Sequence, residues 1–386
     1  MTEWQTVRLG EIVKTNQSTY SPKENWQFVN YLDTGNITMN KIDEIQNINT
    51  AKDKLPSRAR RKVKTNSIIY STVRPNQLHY GIIKKQPDNF LVSTGFTVID
   101  VNYDKAVPDF IYYALTKQEV TEQLQAIAEQ SVSAYPSLKP SDIENLELML
   151  PDKKTQERIV AILRSIDEKI KENNAINNNL EQQAQAIFKS WFIDFEPFSN
   201  RKPNDWSIST LGNVSIMGAG GDKPQNVSPI KTDLYEYPIY SNGLSDEGLY
   251  GFTDKPKISE ESVTVSARGT IGFVCLRHIP YVPIVRLVTL IPKTEIISAK
   301  YLYLWLKQLH ITGTGTTQQQ LTVPDFQKTE ILVPSQEIVT LFTATVEPIF
   351  EKIWANQNEN EKLSSLRDTL LPKLMSGELD VSDIDI

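Results

Sequence analysis

The second half of this 386-residue chain re-runs the first, and that repeat limits the fold more than any other feature. Trp4-Gln-Thr-Val-Arg-Leu9-Gly10 has a counterpart in Trp206-Ser-Ile-Ser-Thr-Leu211-Gly212. Further on, Leu138-Lys-Pro-Ser-Asp142-Ile-Glu-Asn-Leu-Glu147-Leu-Met-Leu-Pro151 aligns without a gap on Leu321-Thr-Val-Pro-Asp325-Phe-Gln-Lys-Thr-Glu330-Ile-Leu-Val-Pro334. After each closing proline, apolar residues recur at three- and four-residue steps, the mark of a helix with one buried stripe. The first such segment covers 152–195, with the stripe Ile159, Ile162, Ile166, Ile170, Asn173, Ile176, Leu180, Ala184 and Ile187. The second covers 335–375, where Val339, Phe342, Val346, Ile349, Ile353, Asn356, Asn360 and Leu363 keep the alternation of a coiled-coil seam.

A helix of roughly 40 residues is about 60 Å long, more than the width of a domain of about 150 residues. Packing on its own domain alone would therefore leave part of each stripe bare. The nearest surface with the same need is the other helix, and equivalent halves would place the two antiparallel about a pseudo-two-fold axis. The fold class that follows is α+β: two α/β domains in pseudo-two-fold tandem repeat, separated by two long antiparallel coiled-coil helices. The expected boundaries are 1–151 for the first domain, 152–196 for the central helix, 197–334 for the second domain, 335–378 for the closing helix and 379–386 for an acidic tail.

Inside the halves, 66–72, 90–100, 262–266 and 284–291 read as strands, and 108–129 and 298–310 as helices. Pro108-Asp109 and Pro324-Asp325 read as helix-start prolines and caps. The 39% hydrophobic content fills more than one core, but no apolar run approaches the roughly 20 residues of a membrane span. The polar opening Met1-Thr-Glu-Trp lacks the order of a signal peptide, so a cytoplasmic location is expected. Cys275 stands alone and His79, His278 and His310 are scattered, so neither a disulfide nor a structural metal is expected.

A net charge of −6 argues against a chain that holds nucleic acid by bulk charge. Locally the balance reverses: Lys52, Lys54, Arg58, Arg60, Arg61, Lys62 and Lys64 are opposed in that stretch only by Asp53. A solvated loop is the plain alternative for such a run. Two unlike loops follow matching strands, 71–81 in the first half and 266–272 in the second. They carry Arg74, Asn76, Gln77 and Arg268, side-chain types that can bond base edges bidentately. The Thr314-Gly-Thr-Thr-Gln-Gln-Gln320 run adds similar chemistry. No Asn-Pro-Pro-Tyr or Asp-Pro-Pro-Tyr pocket for base methylation and no phosphate-binding Gly-x-x-x-x-Gly-Lys-Ser/Thr loop occurs. Gly218-Ala-Gly220-Gly221 lacks the strand-loop-helix setting of a cofactor loop.

Several motifs resemble those of the specificity subunit of type I restriction-modification enzymes. They are Ala186-Ile-Phe188-Lys-Ser-Trp191-Phe192-Ile-Asp194-Phe195, Leu370-Leu-Pro-Lys-Leu-Met-Ser-Gly377-Glu-Leu, Tyr240-Ser-Asn242-Gly243, Ser266-Ala-Arg268-Gly-Thr-Ile-Gly272, Tyr31-Leu-Asp-Thr34-Gly-Asn36 and Val73-Arg74-Pro75. The resemblance implies a split, asymmetric duplex target read half by each domain. In the first half the candidate DNA-binding residues are Thr34, Asn36, Lys54, Arg60, Arg61, Lys62, Ser71, Arg74, Asn76, Gln77, Tyr80 and Tyr135. In the second they are Ser241, Asn242, Ser266, Arg268, Thr270, Thr316, Thr317, Gln318 and Gln319. Phe188, Trp191, Phe192, Leu370, Leu371 and Leu374 are the candidate contacts to partner subunits. The resemblance also implies no catalysis and no cofactor in this chain. Two modification (methyltransferase) subunits would bring S-adenosylmethionine, and restriction motor-nuclease subunits would bring ATP and Mg. A coiled-coil scaffold that never meets DNA, and a nuclease with its own cleft, are the competing readings.

Overall fold

A computed structural model describes residues 4–131, 136–313 and 320–384. The chain divides into two compact units, Met1–Glu172 with Glu359–Ile386, and Asn173–Asn358. The cut falls inside both long helices, so each unit holds one α/β body together with part of each helix.

In the first unit one antiparallel sheet runs in the order Val13–Thr15, Phe96–Val101, Ile68–Ser71, Tyr80–Ile82. A second runs Gln46–Asn49, Phe28–Leu32, Phe90–Ser93, Ala59–Lys62, with Phe28–Leu32 and Phe90–Ser93 parallel. Ile68–Ser71 and Phe90–Ser93 are buried at every position, which is why they read as unbroken apolar runs rather than alternating ones. The second unit repeats this plan. Ser215–Ala219, Val288–Pro292, Ser262–Val265 and Val274–Arg277 form the antiparallel sheet. Leu249–Thr253, Tyr237–Tyr240 and Val282–Pro283 form the other, again with a parallel pair, Tyr237–Tyr240 beside Val282–Pro283. The opening and closing segments of the sequence repeat pair with each other inside each unit: Gln5–Arg8 with Glu147–Leu150, and Ser207–Thr210 with Glu330–Val333.

Two expected strands contain corners. The run 90–100 turns at Thr94-Gly95 and passes from one sheet to the other. The run 284–291 is strand only from Val288 on, and its first four residues are the corner by which the chain leaves Val282–Pro283 in the other sheet, with Val285 and Arg286 in the left-handed backbone region at φ 53° and 62°. Apolar content is continuous across both corners, so periodicity carries no sign of them. The helical run 108–129 is likewise two helices, Pro108–Leu115 and Gln118–Glu129, parted where Lys117 goes extended. The cap reading of the Pro-Asp pairs needs correction. Thr322, not Asp325, caps its helix by accepting from the Asp325 N–H at 3.3 Å. Asp109 is buried and spends its carboxylate on Lys84 at 2.7 Å and Arg164 at 3.0 Å.

The long helices are Lys153–Phe192 and Gln336–Ser376. Within the first unit Asp167 pairs with Arg367 at 3.1 Å and Lys169 with Glu359 at 3.9 Å. Within the second unit Asn356 donates to Asn177 Oδ1 at 2.8 Å, and the Phe188 and Phe342 ring centroids lie 5.9 Å apart. Numbers rise along one helix as they fall along the other, so the pair is antiparallel. Each half-helix also packs on its own unit's core: Ile159 and Leu163 join the first, Ala184, Phe188 and Phe342 the second. Asn173 and Asn356 are buried at seam positions, where a paired amide fixes register. The expected stripe errs at Ile176, which is 43% exposed, and the neighbouring Asn177 takes the inward place by bonding Asn356 and the Ile353 carbonyl. The expected acidic tail is not free throughout. Gly377, at φ 76°, turns the chain beside Trp4, and Val381 fills the first unit's core.

Candidate DNA-facing loop clusters

In the first unit three loops meet where the chain crosses between sheets. The Thr72 N–H and hydroxyl both bond the Gly95 carbonyl, at 2.8 and 2.9 Å, and the Thr94 N–H bonds the Arg58 carbonyl at 2.8 Å. A Cβ on Gly95 would lie 2.8 Å from Thr34 Cγ2, so glycine lets the loops close on one another. Asp33 anchors the Thr34 turn by accepting from the Thr34 N–H at 2.9 Å and the Tyr31 hydroxyl at 3.0 Å. Burial would raise the Asp33 carboxyl. The bonds from Thr34, Tyr31 and Ser93, with the charge of Arg58, outweigh it and hold the carboxyl below its ordinary range. Tyr31 is pushed up to about 12, chiefly by burial, and stays a neutral donor.

The second unit builds the same corner with other residues. Asn242 donates from Nδ2 to the Val285 carbonyl and accepts at Oδ1 from the Ala267 N–H, both at 2.7 Å. One amide thus clamps the loops after Tyr237–Tyr240, Ser262–Val265 and Val282–Pro283. The Ser266 hydroxyl folds the 267–272 loop by bonding the Thr270 carbonyl and accepting from the Phe273 N–H at 2.9 Å. Gly269 and Gly272 sit at φ 67° and 86°, and a Cβ on Gly272 would meet the Ile311 carbonyl at 2.9 Å. The loop they shape leaves Arg268 and Thr270 exposed, with Arg268 Nη2 donating to Gln320 at 3.1 Å.

The predicted residues thus sort by location. Thr34, Asn36, Arg74, Asn76 and Gln77 lie on the first cluster; Arg74, Asn76 and Gln77 are exposed, with Arg74 left-handed at φ 47°. Lys54 is exposed and Arg60 half-buried. Ser241, Arg268 and Thr270 lie on the second cluster. Tyr135, Thr316, Thr317, Gln318 and Gln319 fall outside the described residues. Other assignments are corrected by burial or by prior engagement. Ser71 is 2% exposed and folds the turn by bonding the Val73 carbonyl, and Tyr80 is a core ring stacked 5.5 Å from Tyr70. Ser266 and Asn242 have their polar atoms committed to backbone. Arg61 is drawn inward and its charge disfavoured by burial, while Lys62 pairs with Glu24 and sits 5.1 Å from the Trp26 ring centre. Of the partner-contact set, Phe188, Phe192 and Leu374 are at most 2% exposed within cores, leaving Trp191, Leu370 and Leu371 half-exposed.

Sequence reasoning passed over Arg286, Lys257 and the placing of Arg58. Arg58 and Lys257 flank equivalent corners: Lys257 Nζ comes 3.7 Å from where a Gly221 Cβ would stand. The usable signal was the matched position of these cations relative to the two corners, and it required knowing where the chain turns. Among the described residues no group of three or more His, Cys, Asp and Glu side chains could hold a metal ion, and no helix is long and apolar enough to cross a membrane.

The family model described as the type I restriction modification DNA specificity domain matches residues 1–182 and 203–364. The HindI specificity subunit of Haemophilus influenzae is 29% identical over an alignment of 465 residues, covering 98% of this chain and 100% of that protein. The MjaIX specificity subunit of Methanocaldococcus jannaschii is 28% identical over 343 residues, covering 79% of this chain and 76% of that one. The crystal structure of a type I restriction-modification S subunit from M. genitalium shares the fold, with a TM-score of 0.57, 17% identity and coverage of 97% and 96%.

Proposed function

The chain belongs to the type I restriction-modification DNA specificity family, and from that premise we propose that each loop cluster reads one half of a bipartite, asymmetric duplex target. The observation that carries this is the twin corner. One topology, met twice, brings three loops together in both units, yet offers Thr34, Arg74 and Arg58 in the first and Arg268, Thr270 and Arg286 in the second. Equal scaffolds with unequal side chains suit two unlike half-sites, because base edges differ in their donor and acceptor patterns.

The helices then serve as the docking surface for two modification subunits, through half-exposed residues such as Trp191, Leu370 and Leu371 rather than the buried Phe188, Phe192 and Leu374. Chemistry stays with the partners: S-adenosylmethionine on the modification subunits, ATP and Mg on the restriction motor-nuclease subunits. The chain contributes recognition and acts in the cytoplasm, where the DNA is. Its net charge of −6 leaves much of the phosphate neutralisation to basic partner surfaces. Mapping adenine methylation in host cells with and without this gene tests the proposal. Loss of one bipartite motif, returned by the wild-type gene, is the expected result. A methylation pattern untouched by deletion, in cells whose modification subunits are expressed, would remove it.

A further inference from the structure

The Gly218-Ala-Gly220-Gly221 run has no place in a cofactor loop, and the structure gives it another use. The chain from Ile284 to Leu287 makes a four-residue corner against it. Val285 and Arg286 donate their N–H groups to the Gly221 and Gly220 carbonyls, both at 2.9 Å. Gly220 donates to the Leu287 carbonyl at 2.8 Å, and Leu287 to that of Ile284 at 3.0 Å. The Asn242 amide closes the set on the Val285 carbonyl. A Cβ at Gly220 would fall 2.8 Å from both the N and O of Ile284, so the corner can form only against glycine.

What this framework holds is costly. Val285 is β-branched and lies at φ 53°, and Arg286 follows at 62°. Consecutive non-glycine residues in this region persist only where their surroundings over-determine them, and such strain gathers at functional sites. The result is an arginine on a fixed backbone. Arg286 is exposed, and its guanidinium makes no hydrogen bond or ion pair among the described residues. An unpaired planar fork with five donors, on a tip tied by Asn242 to the Arg268 loop, has the properties of a base-reading group.

We propose that Arg286 is a specificity-determining residue of the second unit, bonding a guanine edge bidentately in one half-site. The proposal rests on the DNA-reading function above, and its test separates the two. The intact subunit, assembled with its modification subunits, is measured as wild type, Arg286→Ala and Arg286→Lys. The probes are duplexes bearing the chain's own methylated motif and a series with each base pair of the motif replaced in turn. If the wild type does not discriminate among them, the functional reading itself fails. If it does, Arg286→Ala should erase roughly ten- to hundred-fold of preference at one G·C pair of one half-site. Preference in the other half-site should remain, and Arg286→Lys should restore it only in part. An unchanged thermal midpoint shows that the fold is intact. Equal weakening on every duplex with a salt slope reduced by about one, as expected for a phosphate contact, would overturn the base-reading role. So would preference retained at every position.

Discussion

Asn242 ties three loops of the second unit together with one side-chain amide. Its orientation is fixed by its partners: a carbonyl on one side demands the NH2 group, and an N–H on the other demands the oxygen. Asn242→Ala removes both bonds and leaves the Val285 carbonyl and the Ala267 N–H without partners. An orphaned group costs about 1–3 kcal/mol in a dry site, but the Val285 carbonyl is exposed to water and only the Ala267 N–H is partly buried, so the loss is about 1–2 kcal/mol. Asn242→Asp keeps the acceptor for Ala267 but sets an anion against the Val285 carbonyl, so it should cost about as much while changing almost no volume. The Val285-Arg286 tip carries strain of about 1–3 kcal/mol per residue, so loss of one tie of that size is enough to populate relaxed loop states. A tip ordered a tenth of the time weakens binding about tenfold. Urea unfolding should report the stability loss. Binding to half-site-substituted duplexes should show reduced discrimination in the half read by the second unit and none of the loss in the other. Wild-type discrimination by both variants, with the stability loss present, would refute the clamp argument.

Phe188→Ala should cost about 3–5 kcal/mol in denaturant unfolding, because its ring sits among Phe192, Tyr301, Trp305 and Phe342; Phe188→Leu should cost under about 1.5 kcal/mol and still assemble with modification subunits. A stable Phe188→Leu protein that no longer assembles would show the residue to be a partner contact after all. Gly377→Ala should lower the thermal midpoint by more than Gly269→Ala. Both sit at positive φ, but a Cβ at 377 meets Trp4 Nε1 at 2.7 Å and one at 269 meets nothing. Equal effects would show that the Trp4 contact is irrelevant. Glu181 is pulled upward by burial but held below its ordinary range by the Tyr303 hydroxyl, at 2.7 Å, and by Lys307. A depressed carboxyl stabilises the fold above its unfolded pKa and loses that contribution as pH falls below it, so stability should decline from about pH 4.5 downward. Glu181→Gln should flatten that acid limb in pH-dependent urea unfolding, and an unchanged limb would count against the assignment.

The two α/β bodies, the pair of long helices and their antiparallel contact were legible in the amino-acid order. Repetition and a three-four apolar step are local, one-dimensional signals, and a helix of this length has few ways to cover its stripe. The exposed loop positions of Arg74, Asn76, Gln77 and Arg268 were legible too, since polar residues bounded by Gly and Pro after a buried strand imply an exposed loop. The corners at Thr94-Gly95 and Val285-Arg286 were not, because fully buried strands carry no alternation and the bend leaves no trace in hydropathy. Burial of Ser71, Tyr80, Ser266, Phe188 and Phe192 was equally hidden: hydroxyls and rings look alike in sequence whether they face solvent or a backbone carbonyl. Only the tertiary packing brings Gly220, Asn242 and Arg286 to one point from three distant stretches of chain, since hydrogen-bond partners that far apart in sequence are chosen by the fold and not by local propensity.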